Sequence, residues 1–174
     1  MTFEDFEDGD DFVSEPSLGT LEDLINEIEA HWSEMASTTR GLTDEEMMRD
    51  GVAGSWSLKD VFAHIAAWEE EAARRINEIA QGNGASLSWP TRDEEDAFNA
   101  AAVERSASVP LERVMKRLEE CHQDLMDMLA TFGDELVVAD TEVKAVEWIP
   151  GWTYMHYQHH APDIWQLKNS RTEG

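Results

Sequence analysis

Apolar residues recur every three or four positions in four long segments of the chain, the spacing that places them on one face of an α-helix. The segments cover about residues 20–40, 57–80, 111–132 and 151–174. An acidic, alanine-rich segment up to residue 105 precedes the third, and Ser108-Val109-Pro110 restarts or bends the helix there. The pattern predicts an all-α protein, a four-helix bundle with long connections.

Boundary signals agree with this division. Thr20 and Ser57 stand at expected N-cap positions, and Thr43 is placed to begin a short extra turn. Gly41 and Gly133 follow the apolar pattern of the first and third segments and supply natural stops.

Residues 134–150 lack helical periodicity. We predict extended backbone at residues 136–138 and 143–148, with Pro150-Gly151 as the entry to the last helix. Within that helix Pro162 cannot bond to the carbonyl four residues earlier, which predicts a kink near Gln158.

Length and charge define the class of protein. A chain of 174 residues is sufficient for one domain. Residues 1–17 are acidic without any basic residue, which predicts a solvated arm ahead of a bundle at 18–174. The net charge of −25 disfavours nucleic acid and anionic membranes as partners. The remaining explanations of this charge are a basic partner, a cationic substrate or simple solubility. An acidic protein that mimics nucleic acid is a less favoured explanation.

The single cysteine, Cys121, lies on the apolar stripe of a helix and is predicted to be a buried residue. It cannot form an intrachain disulfide. The N-terminus lacks a signal-peptide pattern and no apolar run is long enough to span a membrane, so we expect a cytoplasmic protein.

Histidines supply the candidate chemistry. His156 and His160 stand four residues apart, so a helix places both on one core-facing stripe. His64 lies at the edge of the buried face of the second long segment. Three neutral imidazoles from facing helices can hold a divalent metal with positions left for water. The alternative is a set of core histidines bonded to their neighbours.

Three segments carry a resemblance to a known family: residues 54–69, GSWSLKDVFAHIAAWE, then Phe98-Asn99, then residues 153–164, TYMHYQHHAPDI. The first is similar to the second-helix signature of the DinB superfamily, specifically of its ClbS/DfsB-type four-helix-bundle proteins, and the other two follow in that family's order. The resemblance implies that His64, His156 and His160 occupy three metal-ligand positions, and that the protein pairs as a homodimer. It covers about residues 18–170.

Two departures from the family pattern matter. Ala161-Pro162-Asp163 replaces the usual Arg-Gly-Gln after the last ligand, and His159 stands where an acidic residue is commoner. His159 is therefore an alternative to His160 as the partner of His156, although it points away from the stripe. His122, near the edge of another stripe, is a reserve ligand or, more simply, a structural histidine.

Tryptophans are predicted to line a substrate pocket. Trp56, Trp68 and Trp152 lie near the histidines or the ends of their helices, and indoles make good pocket walls. They are equally suited to a core.

These features favour a metal-dependent enzyme that uses Zn, Ni or Fe, the divalent metals that suit imidazole. The resemblance implies hydrolysis of, or thiol addition to, a reactive electrophile, in detoxification or self-resistance. A metal-bound water is the expected nucleophile, and no catalytic side chain is assigned. Alternatives are a non-catalytic small-molecule or partner-binding bundle with structural histidines, and an acidic interaction protein that works through residues 1–17.

Overall fold

Helices make up the secondary structure in the computed structural model, which describes residues 20–83, 88, 90–134 and 145–170, with only the backbone of 145–148. In chain order they are α1 (Leu21–Thr39), α2 (Asp44–Met47), α3 (Leu58–Ala80), α4 (Arg92–Ser106), α5 (Leu111–Leu129), α6 (Ala145–Trp152) and α7 (Tyr154–Asn169). The all-α prediction is confirmed. The long helices α1, α3, α5 and α7 form the bundle, in which α3 packs on α5 and α1 packs on α7.

Side-chain caps explain where four of the helices begin. Thr20, Thr43, Ser57 and Thr91 each accept a hydrogen bond from the backbone N–H three residues on, and the acidic residue there bonds back. Such a reciprocal pair satisfies two backbone donors that the first helical turn leaves unpaired. The predicted caps at Thr20, Thr43 and Ser57 are confirmed. Gly41 follows α1 with φ +83°, a conformation that glycine adopts without strain.

The core is centred on α3. Its buried face includes the apolar residues Leu58, Val61, Phe62, Ile65, Ala72 and Ile76, which recur at the helical spacing that predicted this helix. The Leu, Val and Cys residues of α5 pack against it, and Cys121 is buried as predicted.

Lys59 fixes α4 beside α3. This buried lysine donates from Nζ to the carbonyl oxygens of Ser106, Ala107 and Val109 at 3.0, 3.1 and 3.1 Å. A cation among the last carbonyls of a helix satisfies unpaired acceptors and is favoured by the helix dipole.

The segment before the last helix corrects two predictions. Residues 145–148 are helical rather than extended, and Pro150 and Gly151 lie inside α6 instead of opening the last helix, which begins at Tyr154. An eight-residue helix is too short to show clear periodicity, and burial of Ile149 and Trp152 in the core stabilises it. Residues 136–138 and 143–144, like the arm at 1–17, lie outside the described residues.

Helix α7 runs through Pro162 to Asn169 without ending. The bend near Gln158 stays a prediction. Among the helices that the structure describes, none combines the length and apolar character that a membrane crossing requires.

Candidate metal centre and substrate cavity

Three imidazoles meet between α3 and α7. His64 of α3 and His156 and His160 of α7 each offer one ring nitrogen, and these three nitrogens lie within 4.8 Å of one another. The Nε2 atoms of His64 and His156 are 2.6 Å apart. The ring centroid of His160 lies 5.4 Å from that of His64 and 5.2 Å from that of His156.

Local and tertiary structure each contribute to this arrangement. The four-residue spacing places His156 and His160 on one face of α7, and the packing of α7 on α3 brings that face to His64. His64 is 5% exposed, more deeply buried than its predicted edge position. Two of the core helices therefore hold the imidazoles.

Burial holds His64 and His156 in the neutral form. Burial, followed by the charge of His160, lowers the pKa of His64 well below its ordinary value. Burial and then His64 do the same to the pKa of His156. Among the described atoms, Nδ1 of His64 and His156 and both ring nitrogens of His160 lack a hydrogen-bond partner. Buried nitrogens without partners are costly, and lone pairs on neutral imidazole are suitable metal ligands.

Asp163 lies one turn beyond His160. Its Oδ2 is 3.7 Å from Nδ1 of His160, just outside hydrogen-bond distance, and its side chain is partly exposed. A carboxylate in this position orients the ring of a ligating histidine and raises its basicity.

A cavity of about 430 Å³ opens on the three imidazoles. The walls include Trp56, Trp68 and Trp152, the three predicted pocket tryptophans, together with the loop at residues 53–55. Gly54 in that loop has φ +63°, which a glycine tolerates, and Trp56 approaches His64 with ring centroids 5.0 Å apart. Trp68 and Trp152 are also buried in the core, so these two residues lie both in the wall of the cavity and in the core.

Two polar residues of α4 complete the cavity and were not predicted to line it. Glu95 and Asn99 stand one helical turn apart, and Oδ1 of Asn99 accepts a hydrogen bond from Nε1 of Trp68 at 2.9 Å. The sequence offered only the Phe98-Asn99 pair as part of a family pattern. Nothing in the spacing of α4 distinguishes Glu95 from its acidic neighbours.

The other two histidine candidates lie apart from this group. His159 lines the cavity, with its ring 5.1 Å from that of His160, but it is not among the three histidines whose nitrogens lie within 4.8 Å of one another. His122 has the structural role that was its simpler interpretation. Its Nδ1 lies 3.1 Å from Oε1 of Glu69, and its ring stacks on Trp32 at 3.8 Å.

Glu69, His122 and Tyr157 form a second buried polar cluster. The hydroxyl of Tyr157 donates to Oε1 of Glu69, which is fully buried on α3. Burial raises the pKa of Glu69, and burial together with the Glu69 charge raises the pKa of Tyr157. With Trp32 stacked on His122, the cluster joins α1, α3, α5 and α7 beside the imidazoles.

The sequence profile of the DinB superfamily matches residues 27–164, most of the chain. This protein belongs to the DinB superfamily. The fold places it beside two solved members of the ClbS/DfsB type. The structure of the colibactin self-resistance protein ClbS in complex with a dsDNA superposes with a TM-score of 0.76 at 15% identity, over 88% of this chain and 98% of that one. The sibling lethal factor precursor DfsB gives 0.73 at 11% identity, over 87% and 96%. The resemblance inferred from the motifs is confirmed.

A relative named "Putative metal-dependent hydrolase", from Oceanobacillus iheyensis, is 23% identical over 116 residues. The match covers 65% of this chain and 64% of that relative, less than two thirds of its length. The dsDNA bound to ClbS stands against the expectation that this DinB protein has no nucleic-acid partner.

Proposed function

We propose that this protein is a metal-dependent enzyme that hydrolyses a reactive small molecule or adds a thiol to it. The observation behind the proposal is a group of three imidazoles with unpaired buried nitrogens that opens on a cavity. The name of the relative from Oceanobacillus iheyensis and the self-resistance role named for ClbS support it.

The donor set fits a borderline divalent ion. Imidazole suits Zn²⁺, Ni²⁺ and Fe²⁺ better than Mg²⁺ or Ca²⁺. Two nitrogens bound to one tetrahedral Zn²⁺ lie about 3.4 Å apart. The 2.6 Å between Nε2 of His64 and His156 is shorter, so the two rings must separate by less than about 1 Å.

The residues have separate tasks in this proposal. His64, His156 and His160 hold the ion, and Asp163 keeps the His160 ring aligned. When bound, the ion supplies Lewis acidity that lowers the pKa of a water or thiol at its open position. Trp56, Trp68 and Trp152 bind the apolar part of the substrate and keep bulk water from the imidazoles.

Two measurements on untagged protein test the proposal. Elemental analysis should find about one equivalent of Zn, Ni or Fe per chain. Protein stripped with a chelator should lose its activity on an activated aryl ester, or in thiol conjugation of 1-chloro-2,4-dinitrobenzene, and should regain it with the metal. Protein that binds no metal stoichiometrically contradicts the proposal.

One distance favours a second candidate, the non-catalytic binding bundle. The 2.6 Å separation of Nε2 in His64 and His156 suits a hydrogen bond between two neutral rings, in which one donates and the other accepts. A bundle of this kind binds a small molecule in the cavity with no metal present. Ligand binding that is unchanged by chelation, together with an absence of turnover, identifies this function.

We propose a small molecule rather than dsDNA as the partner, because a net charge of −25 repels phosphate. A mobility-shift assay at low salt, where electrostatic binding is strongest, should show no complex with duplex DNA. We also propose that the protein forms a homodimer. Light scattering tests this, because it measures the mass of the particle in solution.

A further inference from the structure

We infer that the cavity selects a positively charged substrate with an apolar body, and that Glu95 binds its cationic group. The inference rests on the proposed function in one respect, since it concerns the same cavity. It adds a class of substrate: molecules with an ammonium or iminium group separated from the reacting atoms.

The first support is the charge of the lining. Glu95 contributes a carboxylate to the cavity, whereas no Lys or Arg of the described residues lines it. Within that same part of the chain the Glu95 carboxylate has no hydrogen bond or ion pair. Burial and the neighbouring Asp96 raise its pKa, and Arg92 offsets this only in part. An ammonium at this position would pair with a carboxylate that has no direct ion pair among the residues that the structure describes.

The second support is the chemistry of the walls. Indole rings present a negative face, and Trp is the aromatic side chain that binds cations best. Trp152 already binds one: the guanidinium carbon of Arg75 lies 4.4 Å from the centre of its ring. Arg75 is not part of the lining, and Glu71 neutralises its charge at 2.9 Å.

The third support is position. Glu95 precedes Asn99 by one turn of α4, which is about 6 Å along the helix. Asn99 bonds to Trp68 and lies close enough to His64 to affect its pKa. A ligand with its charge at Glu95 therefore extends about one helical turn to place its reacting group at the imidazoles.

The whole molecule favours the same sign of charge. The net charge of −25 produces a negative potential that attracts cations and repels anions during diffusional encounter. This effect is general, so the test must separate it from the local effect of Glu95.

The experiment uses three probes of matched size: phenyltrimethylammonium, its neutral isostere tert-butylbenzene, and the anion benzenesulfonate. A quaternary ammonium has no lone pair and cannot ligate a metal. Binding to the full chain is followed by tryptophan fluorescence, with chelator-stripped and Zn²⁺-loaded protein compared separately. Glu95→Gln removes the charge but keeps the shape, and Asp96→Asn removes the same charge from the next, exposed residue.

In stripped protein we expect phenyltrimethylammonium to bind about tenfold more tightly than tert-butylbenzene. Glu95→Gln should weaken binding of the cation about fivefold and leave the neutral probe unchanged, whereas Asp96→Asn should change it less than about twofold. Equal binding of cation and isostere, preference for benzenesulfonate, equal effects of the two substitutions, or no binding of any probe would overturn the inference.

The outcome is independent of the metal proposal. Zn²⁺ titration of Glu95→Gln and phenyltrimethylammonium titration of stripped His156→Ala show which of the two proposals fails. Wild-type protein that binds no Zn²⁺ but prefers the cationic probe removes the enzyme proposal alone. Wild-type protein that binds Zn²⁺ but does not prefer the cationic probe removes the cation site alone.

Discussion

At the scale of single residues, we expect the three imidazoles to act as one unit, because one nitrogen from each lies within 4.8 Å of the other two. We predict that His64→Ala, His156→Ala and His160→Ala each weaken Zn²⁺ and Ni²⁺ binding by more than about 100-fold, since two protein ligands hold such an ion poorly. Isothermal titration of the five single variants, with His31→Ala and His159→Ala as matched controls, measures this. A His159 variant that loses as much affinity as the His160 variant would sink the assignment.

Asp163 is predicted to orient His160 rather than to bind the metal. Asp163→Asn should weaken Zn²⁺ binding about 10- to 100-fold, the range typical of a lost carboxylate partner. Stability should change little, because the side chain is partly exposed and its distance to Nδ1 is 3.7 Å. Asp124→Asn, an exposed substitution on α5, is the control. Unchanged affinity in Asp163→Asn means that the contact has no role at the site.

The lowered pKa values of His64 and His156 set a pH dependence. Burial in the folded state opposes protonation of these two histidines. Below pH 6.5, the ordinary pKa of histidine, the unfolded chain therefore binds more protons than the folded one. The free energy of unfolding should therefore have its full value above about pH 6.5 and should decrease as the pH falls below that. Bound metal should be released in the same range, because protons compete for the ligating nitrogens.

Thermal melts of stripped protein from pH 8 to pH 5 measure this effect. Glu69 acts in the opposite direction, since its raised pKa favours the folded state at low pH. The control is therefore His156→Ala, in which the decline below pH 6.5 should be smaller than in wild type. A wild-type melting temperature that stays flat over this range refutes the inward, neutral placement.

At the scale of elements, the cluster of Glu69, His122 and Tyr157 fixes α7 against α3 and α5. Tyr157→Phe removes the hydroxyl that bonds to the fully buried Glu69 carboxylate, and we expect it to lower the free energy of unfolding by about 1–3 kcal/mol. Denaturant unfolding of Tyr157→Phe, Glu69→Gln and the double variant completes a mutant cycle. The coupling energy should exceed about 0.5 kcal/mol, and additive effects would contradict a shared network.

At the scale of the whole molecule, we predict that the bundle folds without the acidic arm. Residues 1–17 lack the apolar spacing of the helices, and their removal relieves like-charge repulsion. A chain that starts at Leu18 should keep its helical circular dichroism and its melting temperature. If that chain melts more than about 10 °C lower, the arm belongs to the core. Full-length protein at the same ionic strength is the reference.

Local rules in the sequence determined the long helices and the relation between two of the three candidate ligands. A capping residue such as Ser57 acts within one turn, and apolar spacing defines which face of α3 is buried. The relation of His156 to His160 is equally local, because one turn of helix separates them wherever α7 lies. Family motifs in residues 54–69 and 153–164 added the fold type.

Only the tertiary structure decided what lies opposite each face. His64 contacts a histidine 92 positions away because α7 packs on α3 with a particular axial position and rotation. The apolar periodicity of a helix specifies neither its axial position nor its rotation relative to a neighbour. The same packing assigns His122 to Glu69, turns Glu95 into the cavity, and buries Ile149 and Trp152 in a helix too short to reveal itself by pattern. Residues far apart in the chain are brought together by core packing, which depends on the shapes of several helices at once.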